Sequence, residues 1–162
     1  MRFVVLLSFF LSLTALGQNN LAKQLNIVVK DTITGFRQVR GAFDKERSHY
    51  HTSFQIDSTT DGKVYDLATQ SCYVVEITGS ASKDSIITAN QLPHWKQKLA
   101  HALGPEFKIG KAKAPPGFKA YFGGGYLFTK GHLSVTLEHW KRFSQNETIH
   151  FLRIFIIYKP DS

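Results

Sequence analysis

The stretch that most constrains the fold is IHFLRIFIIY, residues 149–158. Read as a strand, it places Leu152, Ile154, Ile156 and Tyr158 on one face and Ile149, Phe151, Phe155 and Ile157 on the other. A strand apolar on both faces sits inside a sheet with both faces covered, or covers one face by pairing with another subunit. A homodimer through this last strand is therefore one expectation.

The neighbouring segments supply the rest of the sheet. FKAYF, YLFT, HLSVTLEHWKRF and the closing strand read as a meander, with joints at Gly123 to Gly125, at Lys130-Gly131 and at SQNET. Upstream, SHYHTSFQI alternates Tyr50, Thr52, Phe54 and Ile56 with His49, His51, Ser53 and Gln55, which predicts a strand with its histidines outward. SCYVVEITG is a further strand, and Asp61-Gly62 marks a turn before it. Two helices interrupt the strands. NNLAKQLNIVVKDTITG carries Leu21, Leu25 and Val28 at helical spacing, with Asn19 or Asn20 as cap and Gly35 as stop. TANQLPHWKQKLAHALGP carries the stripe Leu92, Trp95, Leu99 and Ala102 or Leu103, with Pro93 in the first turn and Gly104-Pro105 at the end. The order predicts an α+β domain: an antiparallel sheet of about six strands with two helices on one face.

Residues 1–17, MRFVVLLSFFLSLTALG, have a basic residue at Arg2, an apolar run and small residues at Ala15 and Gly17. That is the layout of a cleaved secretory signal peptide. The run from Phe3 to Leu16 is shorter than the about 20 residues of a bilayer-spanning helix, and no transmembrane segment is expected. Residues 18–162 then form one domain, secreted or periplasmic. Cys72 is the single cysteine, so packing and not an internal disulfide must stabilise this basic protein; beside apolar neighbours it reads as a core residue.

Charge is uneven along the chain. Residues 18–87 balance eight Lys/Arg against eight Asp/Glu, whereas residues 88–119 hold six Lys and one Glu, a local +5. Lys108, Lys111, Lys113 and Lys119, with the aromatic rim of Tyr121 and Tyr126, form the expected ligand-binding surface for a protein, an anionic glycan or a membrane surface. Nucleic acid is not the expected partner, because the basic segment lacks arginine.

His49 and His51 are the candidate metal ligands, since alternation along a strand projects both imidazoles to one side. The stretch resembles the first cupin motif, HxH followed by an acid and a glycine; Gly62 is in place, but Gln55 stands where the acid belongs and Gly41 is off by two positions. The second motif is weaker still: after Pro115-Pro116-Gly117, Ala120 and Gly124 occupy the His and Asn places. Completion of a site would need a remote residue such as His132, His139 or His150. His139 continues the apolar face of Leu133, Val135 and Leu137 and is expected to point inward, with Glu138 pointing out. The succession of a helix, FRQVRG at Phe36 to Gly41, a strand group, a Trp-bearing helix and a meander resembles a set of small exported bacterial proteins of unknown function. That resemblance implies no activity and no site residues.

There is no G-x-S-x-G, no S-x-x-K and no Cys with an evident His partner, so no catalytic residue and no cofactor is assigned. The leading expectation is an exported, non-catalytic binding module that engages a protein or an anionic envelope component. The alternative is a metal-dependent enzyme or metal-binding protein using His49 and His51.

Overall fold

In the computed structural model, which describes residues 20–67, 70–144 and 146–159, the first element described is helix α1, residues 20–31. Leu21, Leu25 and Val28 lie one above the other on one face and are buried. A 3₁₀ turn, Thr32–Thr34, closes the helix, and Gly35 sits at φ 70° with its N–H donating to the Thr32 carbonyl. Asp31, buried at this end, accepts from the backbone amides of Gln38 (2.8 Å) and Val39 (3.0 Å). FRQVRG is thereby tied to the helix, and its Phe36 is fully buried 5.9 Å from the Tyr73 ring.

Eight strands follow in one antiparallel sheet: β1 Arg40–Asp44, β2 His49–Thr52, β3 Lys63–Leu67, β4 Gln70–Glu76, β5 Lys108–Lys111, β6 Phe122–Lys130, β7 Leu133–Ser144 and β8 Glu147–Tyr158. Their spatial order is β1-β2-β3-β4-β8-β7-β6-β5. The expected count of about six is therefore corrected to eight. The short strands β1 and β3 account for part of the difference; each gains its ladder from a neighbour and not from a long apolar run. Helix α2, Ser85–Leu103, crosses between β4 and β5, and its N-cap Asp84 accepts from Ile86 N–H at 2.8 Å. The helix thus starts three residues before the expected TAN, and Pro93 lies inside it and not in its first turn.

The α+β class holds. The buried stripes of α1 and α2 (Trp95, Leu99 and Leu103) join Tyr73, Val75, Val135, Leu137, Leu152, Ile154 and Ile156 in one core against one side of the sheet. β8 is central, with both hydrogen-bonding edges taken by β4 and β7. A second copy could reach it only through its face. Among the described residues no α-helix packs on the other side of the sheet; there Phe151 is nevertheless buried, and Phe155 and Ile157 are half-buried.

One expected joint and one expected strand come out differently. Gly123 to Gly125 are inside β6 and not in a hairpin. A Cβ at Gly125 would stand 2.4 Å from the Leu137 carbonyl oxygen, and Gly124 at φ 121° occupies an irregularity in the β6–β7 register. Glycine is required at 125 by the close approach of β7 and favoured at 124 by its positive φ. Within FKAYF, Lys119–Tyr121 form a 3₁₀ turn and not a strand. The expected signal peptide, Met1 to Gly17, lies outside the described residues, among which no helix is long and apolar enough to cross a membrane.

Candidate metal centre

The β1–β2 hairpin assembles the site. Its register sets Asp44 opposite His49, Phe43 opposite Tyr50, and Arg40 opposite Thr52. Residues 45–48 form the turn, with Ser48 at φ 54°. Asp44 shapes this turn: one carboxylate oxygen, Oδ1, accepts from the amides of Glu46 (3.0 Å) and Arg47 (3.1 Å). The amide of Arg47, foremost, holds the Asp44 carboxyl below its usual range, so it is an anion at neutral pH. The second oxygen, Oδ2, is left over and lies 3.8 Å from Nε2 of His51.

His49 and His51, two apart on β2, share a side of the sheet as expected, their ring centroids 5.0 Å apart and edge to face. One ligand atom from each of Asp44, His49 and His51 lies within 4.8 Å of the other two. A third candidate donor, which the sequence motif lacks, stands on the adjacent strand.

The expectation that both histidines face water fails for His49. His51 is exposed, but His49 is only 1 % accessible, with the Tyr65 ring of β3 at 5.4 Å. The cross-strand neighbours Asp44 and Tyr65 cover it on the helix-free side. Its Nδ1 reaches the Arg47 carbonyl at 3.4 Å, while Nε2 is buried and has no hydrogen-bond partner among the described residues. A neutral imidazole protonated on Nδ1 presents a bare lone pair at Nε2, which is the state that binds a metal; a backbone carbonyl on the other nitrogen is the usual means of fixing that tautomer. A buried polar atom without a partner costs about 1–3 kcal/mol. A metal ion would satisfy it.

Tetrahedral coordination at about 2.0–2.1 Å sets ligand atoms about 3.3 Å apart, so modest side-chain rotations would close the present spacing. Two imidazoles and one carboxylate suit Zn²⁺, Fe²⁺ and related ions, and leave coordination positions open. Ca²⁺ and Mg²⁺, which prefer all-oxygen shells, fit poorly.

The other singled-out residues lie elsewhere. Gln55 is exposed and donates to the Thr59 carbonyl at 2.9 Å, outside the cluster. Gly62 is in place for packing: a Cβ there would meet the Thr52 hydroxyl at 2.7 Å and the Tyr73 hydroxyl at 2.8 Å. His139 is buried as expected and pairs with His150, Nε2 to Nδ1 at 3.0 Å; burial, foremost, lowers its pKa. Neither belongs to the Asp44 cluster, nor does His132. Glu138 turns to the opposite side from His139 but is buried as well, accepting from Trp140 Nε1 at 2.7 Å. Burial pushes the Cys72 thiol up to about 12, which makes it an inert core residue.

The lysine and tyrosine set does not converge. All four residues of β5 are exposed, yet Lys111 pairs with Tyr126 on the helix side and Lys108, three residues earlier, faces the opposite way. Lys113 follows in the loop after β5, and Lys119 starts the 3₁₀ turn that ends at Tyr121. Tyr121 joins the exposed rings of Phe118 (6.3 Å) and Phe143 (5.3 Å), whereas Tyr126 is half-buried beneath Lys96 Nζ at 4.8 Å.

No family model, no curated protein and no solved structure matches the chain.

Proposed function

We propose that this protein binds a divalent transition-metal ion through Asp44, His49 and His51. The observation that carries the reading is a cluster in which one ligand atom from each of Asp44, His49 and His51 lies within 4.8 Å of the others, together with a His49 Nε2 that is buried without a hydrogen-bond partner among the described residues. Asp44 supplies the charge, and its backbone-anchored Oδ1 keeps Oδ2 turned toward the histidines. Three protein ligands and an open position suit a carrier or a sensor as well as a catalyst, and the reading assigns no reaction. In the exported setting suggested by Met1 to Gly17, the metal would be taken up outside the cytoplasm.

Metal analysis of protein purified without a histidine tag, with a Co²⁺ titration followed by visible absorption, tests this. One equivalent of metal, lost in a His49→Ala/His51→Ala variant, is expected. Substoichiometric metal that is unchanged in that variant overturns the reading.

A second reading, an interaction module for an anionic envelope component, draws on the exposed lysine-bearing edge strand β5. Retention on an anionic matrix that falls steeply with salt and with Lys108→Ala/Lys111→Ala/Lys113→Ala is its signature. Equal retention of the triple variant rejects it.

A further inference from the structure

On the helix-free side of the sheet, next to the hairpin, lies a cavity of about 560 Å³ between β3, β4, β7 and β8. Its size is within the range of about 300–1,000 Å³ typical of small-ligand sites. The register explains its lining. Val74 of β4 stands opposite Phe155 of β8, Cys72 opposite Ile157, and Tyr65 of β3 beside Cys72, which makes an apolar floor. Glu76 stands opposite Arg153 at one end of this floor.

Two arginines meet there on one carboxylate oxygen. Arg153 donates to Glu76 Oε1 from Nε (3.2 Å) and Nη2 (2.7 Å), and Arg142 of β7 donates to the same oxygen from Nη2 (3.1 Å). Both guanidiniums also lie over the Phe151 ring, at 4.9 Å for Arg142 and 4.7 Å for Arg153. Glu76 and Phe151 therefore fix the pair. An ion pair that serves only to tie β4 to β8 needs one arginine, so the second is in excess. The charged residues lining the cavity are Lys63, Arg142 and Arg153 against Asp61 and Glu76, three positive and two negative, hence net +1. Nη1 of each arginine has no acceptor among the described residues. A planar fork of free N–H groups is matched by carboxylate or phosphate oxygens.

We infer that this cavity binds a small amphipathic anion, its apolar body on Val74 and Phe155 and its carboxylate or phosphate head on Arg142 and Arg153. The site shares the Tyr65 wall with the hairpin but needs no metal, so it stands or falls separately from the metal reading.

The test uses octanoate and octyl phosphate as probes and octanol as the neutral control, titrated into metal-stripped full-length protein by calorimetry. ¹⁵N NMR of the Val74 and Phe155 amides and of Arg153 Nε locates the binding. Saturable binding of at least one anion is expected, with shifts at those positions and at least a tenfold loss in Arg142→Gln; the stronger probe identifies the head group. Arg142 is largely exposed, so the variant should keep its fold, and an unchanged amide spectrum away from the cavity checks this. Binding of neither anion at millimolar concentration, equal binding of octanol, shifts elsewhere, or an Arg142→Gln variant that binds as the wild type each overturns the inference.

Discussion

Asp44 holds two jobs on two oxygens, and a single isosteric change separates them. Asp44→Asn keeps an oxygen where the Glu46 and Arg47 amides bind and replaces Oδ2 by a neutral amide nitrogen. Without metal, the variant should lie within about 0.5 kcal/mol of the wild type, because the turn is preserved. Asp44→Ala removes both backbone hydrogen bonds and should be measurably less stable than Asp44→Asn. With metal the order changes. Losing one ligand of three should weaken binding at least about 100-fold, since even partners behind the ligands are worth 10–100-fold. At a metal concentration that holds the wild type at about 100 Kd, metal stabilises the wild type by about 2.7 kcal/mol and a 100-fold weaker variant by about 0.4 kcal/mol, a loss of about 2.3 kcal/mol that rises to about 2.7 kcal/mol if binding is abolished. For a domain of about 140 residues each kcal/mol moves Tm by about 3 °C, which predicts a gap of about 7–8 °C between wild type and Asp44→Asn with Zn²⁺ and almost none without it. Differential scanning calorimetry with and without Zn²⁺ reads both numbers. If Zn²⁺ raises both proteins equally, Asp44 is a turn residue and not a ligand.

Other consequences of the fold are open to measurement. Glu138 is buried, and burial, foremost, raises its pKa above 4.5, so the stability it contributes is full below that value and is lost as pH rises through the folded pKa. Denaturant unfolding should therefore show Glu138→Gln gaining on the wild type from acid to neutral pH; a constant difference would count against a raised pKa. Gly125→Ala forces a Cβ against the Leu137 carbonyl and should cost about 1–3 kcal/mol by the same assay, whereas Gly79→Ala, which meets no neighbour, tests strain alone at its φ of 73°. Leu99→Ala leaves a cavity under α2 where the side chain is fully buried, for a loss of about 2–5 kcal/mol in denaturant unfolding.

Much of the scaffold is legible because it rests on periodicity. The stripe Leu21, Leu25 and Val28, the stripe Trp95, Leu99 and Leu103, and the two-sided apolarity of residues 149–158 each dictate an element and the face it buries. β1 and β3 escape the same reasoning. RGAFD and KVYDL are short and carry acids, and they become strands because the sheet offers them partners. The glycine run at 123–125 misleads for a related reason: three glycines look like a turn locally, while the space for a side chain at Gly123 and Gly125 is taken by His139 and Leu137 of β7, more than ten residues away. In the hairpin, HYH reveals two candidate ligands through period-2 alternation, but Asp44 looks like one more turn acid until the β1–β2 register puts it opposite His49. Alternation also fails to show that His49 is covered, since burial depends on Tyr65 and on the turn. The Arg142–Glu76–Arg153 cluster joins residues up to 77 positions apart, and no local pattern announces it.

The central claim is that Nε2 of His49 is a metal ligand. Imidazole-¹⁵N NMR of the untagged protein, recorded as Zn²⁺ is added, reads that atom directly. The account predicts that the Nε2 resonance of His49 moves to a metal-bound shift together with one nitrogen of His51, complete at one equivalent, while the ring signals of His139 and His150 stay in place. A His49 resonance that is unmoved at several equivalents of Zn²⁺ would contradict it.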